Sequence, residues 1–340
     1  MSEAPMTSAV CFHDQHYTLD IGQDFLDDAI AGLLNSPKWA SPKYFYDYRG
    51  SQLFDAICTQ PEYYLTRAEE KVLTDRASEI AEVVGENATL IELGSGASRK
   101  VRTLLEAVKP RHYLGVDISR DFLIQSTERL AADYPWLDVH AAWADFTSPM
   151  HLPSGLDAGG RPVVFFPGSS IGNFTPALAR TLLSNLANML PPGGGLLIGV
   201  DRMKDREILE QAYNDAAGVT AAFNRNLLTR YEIELGSDID PEQFEHRAFL
   251  NEAEQRIEMH LVSRKAQTVA LGGLRIPFDA GESIHTENSY KYSDEDFKTL
   301  AAHAGFESRA LWHDPDRLFS VHYFERGSTL EFLPESLIPG

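Results

Sequence analysis

The sequence predicts an α/β protein: a mostly parallel sheet wrapped by helices, with a second, inserted lobe of mixed helix and strand. Three observations carry this. Strand-type and helix-type patterns alternate from about residue 68 to 203, the signature of a parallel sheet covered on both faces. A glycine turn, Gly94-Ser95-Gly96, closes the first of those strands. Residues 204–291 then abandon the alternation, in a chain whose 340 residues exceed the comfortable size of one hydrophobic core. The expected division is 68–203 with 292–340 as one domain, and 1–67 with 204–291 as the other.

The elements follow in order. A polar, helix-prone run from Arg67 to Val84 leads to Thr89-Leu90-Ile91-Glu92-Leu93, a short apolar strand. Ser98 reads as a helix N-cap, and Val101, Leu104, Leu105 and Val108 fall on one helical face. Pro110 stops that helix, and His112–Asp117 is the next strand. A helix over Arg120–Ala132 precedes strands at Val139–Phe146 and Pro162–Phe166; a helix over Ala177–Leu190 precedes a strand at Gly195–Asp201. In the inserted block a helical run, Glu207–Leu228, is followed by strands at Arg247–Leu250, Arg256–Ser263 and Gln267–Arg275. Ser293-x-x-Asp296 opens a last helix that Gly305 closes. Arg309–His313 and Leu318–Phe324 are then joined across the turn Asp314-Pro315-Asp316.

Composition removes several classes of function. An apolar fraction of 43% with 24% charged residues is that of an ordinary globular chain. A formal charge of −20 opposes binding to nucleic acid or to anionic membranes, both of which need basic surface. The longest apolar stretches, such as Val163-Val164-Phe165-Phe166, are far too short to cross a bilayer, and Met1-Ser2-Glu3-Ala4-Pro5 has no signal-peptide character. Two cysteines without paired spacing, Cys11 and Cys58, suit a reducing compartment in which both are inert thiols. A cytoplasmic monomer acting on a small molecule is expected. The eleven histidines have no metal-type spacing, so no metal site is expected.

Four segments carry candidate chemistry. Glu92-Leu93-Gly94-Ser95-Gly96 joins a strand to a helix, where glycines let a ligand approach the backbone. Position 99 holds Arg99 where a dinucleotide fingerprint wants a third glycine, which disfavours NAD. Asp117 ends the next strand, about twenty residues on, where a ribose diol is gripped. The third strand ends in Ala144-Asp145-Phe146, a carboxylate for an adenine amine beside a ring for its face. Together these favour S-adenosylmethionine. The alternative is a plain turn, with Asp117 capping a helix.

The second segment, Phe165 to Pro176, is the loop after the fourth strand, where Asn173 can hold an amine or carboxylate and Gly168 can present a carbonyl. An ordinary strand-to-helix loop is the plain alternative. Third, Lys43-Tyr44-Phe45-Tyr46-Asp47-Tyr48 and Pro61-Glu62-Tyr63-Tyr64-Leu65-Thr66-Arg67 are dense in aromatics; taken locally they read first as core, and second as a cage for a methylated cation. Fourth, Thr286-Glu287-Asn288-Ser289 sets Glu287 and Ser289 on one side of an extended segment. There they are suited to an imidazole, or form a solvated strand edge.

These segments, with Tyr213-x-Asp215-Ala216-Ala217-Gly218-Val219-Thr220-x-x-Phe223-Asn224, resemble the histidine-specific methyltransferases of ergothioneine biosynthesis over nearly the whole chain. The resemblance implies a class I methyltransferase (Rossmann-like) sheet with an inserted α+β substrate-binding lobe. It implies S-adenosylmethionine-dependent trimethylation of the α-amino group of L-histidine to hercynine, with S-adenosylhomocysteine as product. Carried over residue by residue, it places Gly94, Lys100, Asp117, Asp145, Phe146 and Tyr46 around the cofactor. Tyr63, Gly168, Asn173 and Tyr213 orient the substrate's amino and carboxylate groups. Glu287 and Ser289 recognise the imidazole, with Met259 packing nearby, and Tyr46 and Asn173 are the catalytic candidates. The alternatives are a relative acting on another amine such as tryptophan, an NAD-linked oxidoreductase on a similar sheet, and a non-catalytic S-adenosylmethionine-binding protein.

Overall fold

In the computed structural model the described residues are 10–14, 21–156 and 160–328. The Met1–Pro5 reading, and the outer ends of two expected domain spans, lie outside them. The strands are β1 (Cys11–Asp14), β2 (Lys38–Trp39), β3 (Thr89–Leu93), β4 (His112–Asp117), β5 (Asp138–Trp143), β6 (Pro162–Phe166) and β7 (Gly195–Asp201). They continue as β8 (Phe244–Asn251), β9 (Arg256–Ser263), β10 (Gln267–Leu271), β11 (Leu274–Phe278), β12 (Ser283–Tyr290), β13 (Phe306–His313) and β14 (Phe319–Arg326). The chain divides into two compact units. One holds Arg67–Met203, the segment from Tyr292 on and β1; the other holds the segment from Ile21 to Thr66 and Lys204–Lys291.

The first unit is built on one sheet of order β1-β5-β4-β3-β6-β7-β14-β13. Its strands run parallel from β1 to β7, and β14 inserts antiparallel between β7 and β13. Every residue of β3, β4, β6 and β7 is buried. That is why they read as unbroken apolar runs rather than alternating ones: helices cover both faces of a parallel sheet. The chain winds outward from β3 through β4 to β5, then returns to β6 on the other side of β3. That reversal opens a crevice at the carboxyl ends of β3 and β6, where ligands bind in this architecture.

Three expectations need correction here. Residues 1–67 do not all belong with the second lobe, because β1 pairs in parallel with β5, Cys11 beside His140. Ser98 does not cap the helix Arg99–Val108: its φ is +50° and its side chain makes no cap bond. Its Oγ lies 3.2 Å from the Tyr113 hydroxyl instead. The third strand ends at Trp143 rather than Phe146, because Asp145 Oδ1 accepts from the Thr147 backbone N–H and hydroxyl and turns the chain.

The second unit carries a sheet of order β2-β12-β9-β8 and a separate β10-β11 hairpin. The expected helix Glu207–Leu228 is two helices, Arg206–Ala212 and Val219–Leu235. Asp215 breaks it: its carboxylate accepts from the Val219 and Thr220 backbone N–H groups, starting a new helix after Gly218 at φ +73°. The expected strand Gln267–Arg275 is a hairpin, because Gly272 and Gly273 both take positive φ, +57° and +80°, as a two-residue turn demands. In β12 the pairing with β9 shifts between His285 and Glu287, so that Glu287 faces Met259. This bulge reverses the side-chain alternation and puts Glu287 and Ser289 on the same face as Met259 and Ile257. Thr286, the extra residue, donates to Asn224 Oδ1 (2.8 Å) and to the Met259 carbonyl (3.0 Å), which pins the bulge. Among the described residues no helix is long and apolar enough to cross a membrane.

Candidate active site

The first unit gathers one group of residues at the carboxyl ends of its central strands. Gly94 and Gly96 adopt φ of +62° and +49°, a backbone that resists side chains. The Gly96 N–H donates to Asp117 Oδ2 at 2.9 Å, and the Ser119 N–H to Oδ1 at 2.8 Å. Asp117 is buried, and loss of water raises its pKa while these N–H groups oppose the rise. The Ile118 N–H bonds the same carboxylate.

Phe146 stands by the turn: a Cβ on Gly94 would lie 3.8 Å from its ring, and the ring meets Phe166 edge-on at 5.5 Å. Asp145 commits Oδ1 to Thr147. This unit thus sets the glycine turn, the Asp117 and Asp145 carboxylates and the Phe146 ring at the carboxyl ends of its strands.

Lys100 and Gly168 are tied together by a residue that sequence reasoning missed. Glu69 is fully buried on the helix Tyr64–Asp75; it pairs with Lys100 Nζ at 2.7 Å and accepts the Gly168 N–H with both oxygens, at 3.0 and 2.9 Å. Gly199 permits this, since a Cβ there would lie 2.0 Å from Glu69 Oε1. Gly168 itself takes φ +81°, and Ser169 φ +58°, before the short 3-10 turn Ser170–Asn173 that carries Asn173. Beneath them Glu92 is buried against the Tyr113 hydroxyl, which donates at 2.6 Å; burial pushes the Glu92 carboxyl up to about 8. Nothing in a polar helical run distinguishes Glu69 from its solvated neighbours; only burial does. Glu69→Gln should leave Lys100 without its buried counter-charge and destabilise the fold by about 3–5 kcal/mol, read by chemical denaturation. A variant as stable as the parent would refute the pairing.

The second unit gathers the other group. Tyr46 packs edge-on against Phe54 and Phe223, with ring centroids 5.7 and 5.6 Å away. Tyr63 is buried edge-on to Tyr213 at 6.2 Å, and burial, with Tyr213 beside it, lifts its phenol well above the usual value. The Tyr213 hydroxyl and Ser289 Oγ are 2.7 Å apart. Met259 faces Glu287 across the β9–β12 pairing, and Glu287 is buried, its carboxyl pushed up to about 8 by lost hydration while Lys291 pulls it back.

Lys291 is the second residue that sequence reasoning missed. It is 2% exposed, donates to Ser289 Oγ at 2.6 Å and to the Tyr213 hydroxyl at 3.2 Å, and lies 5.1 Å from the Tyr213 ring centroid. A signal existed, since Lys291 stands two residues beyond Ser289 on the same side of an extended strand. The motif residues behind this group are scaffold. Asn224 bonds His246 and the His260 carbonyl as well as Thr286, and Asn226 holds the helix-capping Asp47.

The two expected groupings cross the division of the chain. Tyr46, expected at the cofactor, belongs to the second unit, and Gly168 and Asn173, expected at the substrate, belong to the first.

A parallel sheet with its strand order reversed at β3, a glycine turn there, and an acidic residue at the end of β4 define an S-adenosylmethionine-dependent methyltransferase of the class I, Rossmann-like type. More narrowly, the chain belongs to the histidine-specific, S-adenosylmethionine-dependent methyltransferase family, whose model matches residues 25–326. It is similar to a histidine N-alpha-methyltransferase of Mycolicibacterium smegmatis, 44% identical over 85% of this chain and 90% of that protein. A histidine N-alpha-methyltransferase of Mycobacterium tuberculosis is 40% identical over 84% of this chain and 90% of its own length. Ergothioneine biosynthesis protein 1 of Neurospora crassa is 31% identical over 82% of this chain, which spans 32% of that larger protein.

Proposed function

We propose that the protein transfers methyl groups from S-adenosylmethionine to the α-amino nitrogen of L-histidine, three times in succession, to give hercynine, the entry step to ergothioneine. The observation that carries the substrate is the buried Glu287–Ser289–Lys291–Tyr213 group on β12 and its neighbours, a polar cluster suited to a ring with one N–H and one lone pair. Lys291 donates to both oxygens, so the hydrogen between Tyr213 and Ser289 must come from one of those hydroxyls. On this reading the phenol, the more acidic of the two, gives its hydrogen to Ser289. Ser289 then accepts twice and has its own hydrogen to offer a ring nitrogen, while Glu287 accepts the opposite ring N–H. An indole, with one N–H and no ring lone pair, would leave Ser289 unanswered, which buried polar sites penalise strongly.

When bound, S-adenosylmethionine supplies an electrophilic methyl group on a sulfonium. On this reading Asp117 holds its ribose, Asp145 and Phe146 hold its adenine, and Gly94 lets it reach the backbone. Lys100, Tyr46, Gly168 and Asn173 take the cofactor and substrate roles that the family resemblance assigns to them, with Tyr63 and Tyr213 on the substrate. Holding two reactants in attack geometry is worth up to about 7–11 kcal/mol, enough for positioning to dominate. The amine must first lose a proton, at a cost of about 2–3 kcal/mol near neutral pH. A strong dedicated base is therefore unnecessary, and Tyr46 or a water suffices to pass the proton out. The reading is completed by a cytoplasmic monomer, which size-exclusion chromatography with light scattering tests. Mass spectrometry of the twenty amino acids incubated singly with enzyme and donor tests the substrate: a gain of three methyls on histidine alone is expected, and methylation of tryptophan instead would overturn it.

The Glu287 environment sets a pH dependence. With its carboxyl pushed up to about 8, unliganded Glu287 holds its proton at neutral pH and must release it to accept an imidazole N–H as a carboxylate. Histidine binding should therefore tighten as pH rises through about 8. Lys291→Met removes the charge that lowers this pKa and should move the rise to higher pH. The substrate's own amine titrates identically with both proteins, so the difference between their calorimetric pH profiles isolates Glu287. Superimposable profiles would remove Lys291 from the scheme.

A further inference from the structure

A second cluster of ligating side chains lies on the first unit's sheet, at the end opposite the glycine turn. In the pairing of β1 with β5, Cys11 stands beside His140, and His13 beside Ala142. In the pairing of β5 with β4, Asp138 stands beside His112, at the start of the strand that Asp117 ends. Side chains alternate along a strand, so Cys11, His13, His140, Asp138 and His112 all project from one face. The His13 Nε2 and His140 Nδ1 atoms are 3.1 Å apart, with the rings stacked 13° from parallel. One ligand atom each from Cys11, His13 and His140 lie within 4.8 Å of one another. The other nitrogen of His140, Nε2, is buried, makes no hydrogen bond of good geometry, and lies 3.3 Å from Asp138 Oδ1. Asp138 Oδ2 in turn meets His112 Nδ1 at 2.9 Å.

We propose that Cys11, His13 and His140 bind a divalent cation of the zinc type, with Asp138 as the outer carboxylate that orients His140. One thiolate and two imidazoles form the nitrogen–sulfur set that such borderline cations select over hard oxygen-seeking ones. Metal-bound histidines commonly give their second ring N–H to a carboxylate, and the His140–Asp138 pair reproduces that arrangement. Tetrahedral bonding at about 2.0–2.3 Å brings ligand atoms to roughly 3.3–3.8 Å from one another, so closing this site takes side-chain movements of about 1 Å. Cys11 is exposed and delivers its thiol proton to solvent as the sulfur–metal bond forms. Water fills the fourth position. The bond set fastens the four-residue edge strand β1 to β5, which is a structural role separate from methyl transfer. Spacing along the chain hides the site, since its ligands stand 127 residues apart and meet only through strand pairing.

The test uses the full-length protein, stripped of metal and titrated with Zn²⁺ against a chromophoric chelator, and separately with Co²⁺. One equivalent should bind with a dissociation constant below about 1 μM, and Co²⁺ should produce a near-ultraviolet thiolate charge-transfer band. Cys11→Ser should abolish the band, and His140→Ala should weaken Zn²⁺ at least about a hundredfold by removing one of three ligands. Asp138→Asn should weaken it about 10–100-fold. Cys58→Ser should bind as the parent does, and methylation with S-adenosylmethionine should be unchanged in Cys11→Ser. Binding equally tight in Cys11→Ser and His140→Ala, or no binding tighter than about 100 μM in the parent, would overturn the proposal. Far-ultraviolet circular dichroism confirms that each variant is folded, and His13→Ala, removing the third ligand, gives an independent second reading.

Discussion

Asp117→Ala is expected to remove S-adenosylmethionine binding from a protein that still folds. In the parent the carboxylate holds the backbone N–H groups of Gly96, Ser119 and Ile118, and so fixes the glycine turn to the end of β4. On the proposed reading the carboxylate also takes the two ribose hydroxyls. Hydrogen bonds to a charged group are worth about 1.5–3 kcal/mol each, so losing two costs about 3–6 kcal/mol. That is roughly two to four decades in Kd. The turn also loses its anchor, which adds to the loss without adding a new contact. Calorimetric titration with S-adenosylmethionine and with S-adenosylhomocysteine measures it. Asp117→Asn keeps one acceptor oxygen and should fall between the two. A Kd for Asp117→Ala within threefold of the parent would dismiss the ribose assignment.

Glu287→Ala should act on the other ligand. Histidine is expected to bind about 10- to 150-fold more weakly, the equivalent of one charge-assisted hydrogen bond of about 1.5–3 kcal/mol. S-adenosylmethionine affinity should stay within about twofold, because Glu287 lies on β12, in a different unit from Asp117. The variant should also lose stability. Above about pH 8, where Glu287 is ionised, Lys291 keeps its bonds to Ser289 and Tyr213 but loses the carboxylate that offsets its buried charge. Denaturation with and without S-adenosylmethionine separates that effect from binding. Equal losses of affinity for both ligands would show that Glu287 supports the fold and not the ring. Replacement by Gln makes the contrast sharper: it keeps an acceptor for the imidazole N–H but cannot titrate, so its histidine affinity should no longer respond to pH around 8.

Both predictions rest on residues whose character is legible in the chain itself, and the reason is local. Gly94 and Gly96 announce a backbone that other residues resist, and Asp117 ends a run too apolar to be anything but a buried strand. The same holds for the sheet. Strands β3, β4, β6 and β7 are buried on both faces, so their composition alone separates them from the amphipathic helices between them. Where a signal was short-range but easily overrun, the reading failed. Gly272-Gly273 was swallowed by apolar neighbours on either side, and Asp215 by the helical residues around it.

The residues that escaped reading have in common that their meaning lies in a distant partner. Glu69 is one acid in a polar helix until folding brings Lys100 and the Gly168 N–H to it, 31 and 99 positions away in the numbering. Lys291 gains its role when β12 is laid beside Tyr213, and the bulge at Thr286 decides which face Glu287 occupies, although alternation alone already set Glu287 and Ser289 on a common side. Cys11 and His13 are unremarkable until β1 joins the edge of the sheet at His140. Turn chemistry, apolar periodicity and motif spacing are properties of neighbouring residues, so the sequence by itself determined the strand–helix order, the cofactor turn and the family resemblance. Burial, ion pairing and strand register are properties of pairs brought together by folding, so only the tertiary structure decided which carboxyls lose their water, which lysines offset them, and which side chains share a face.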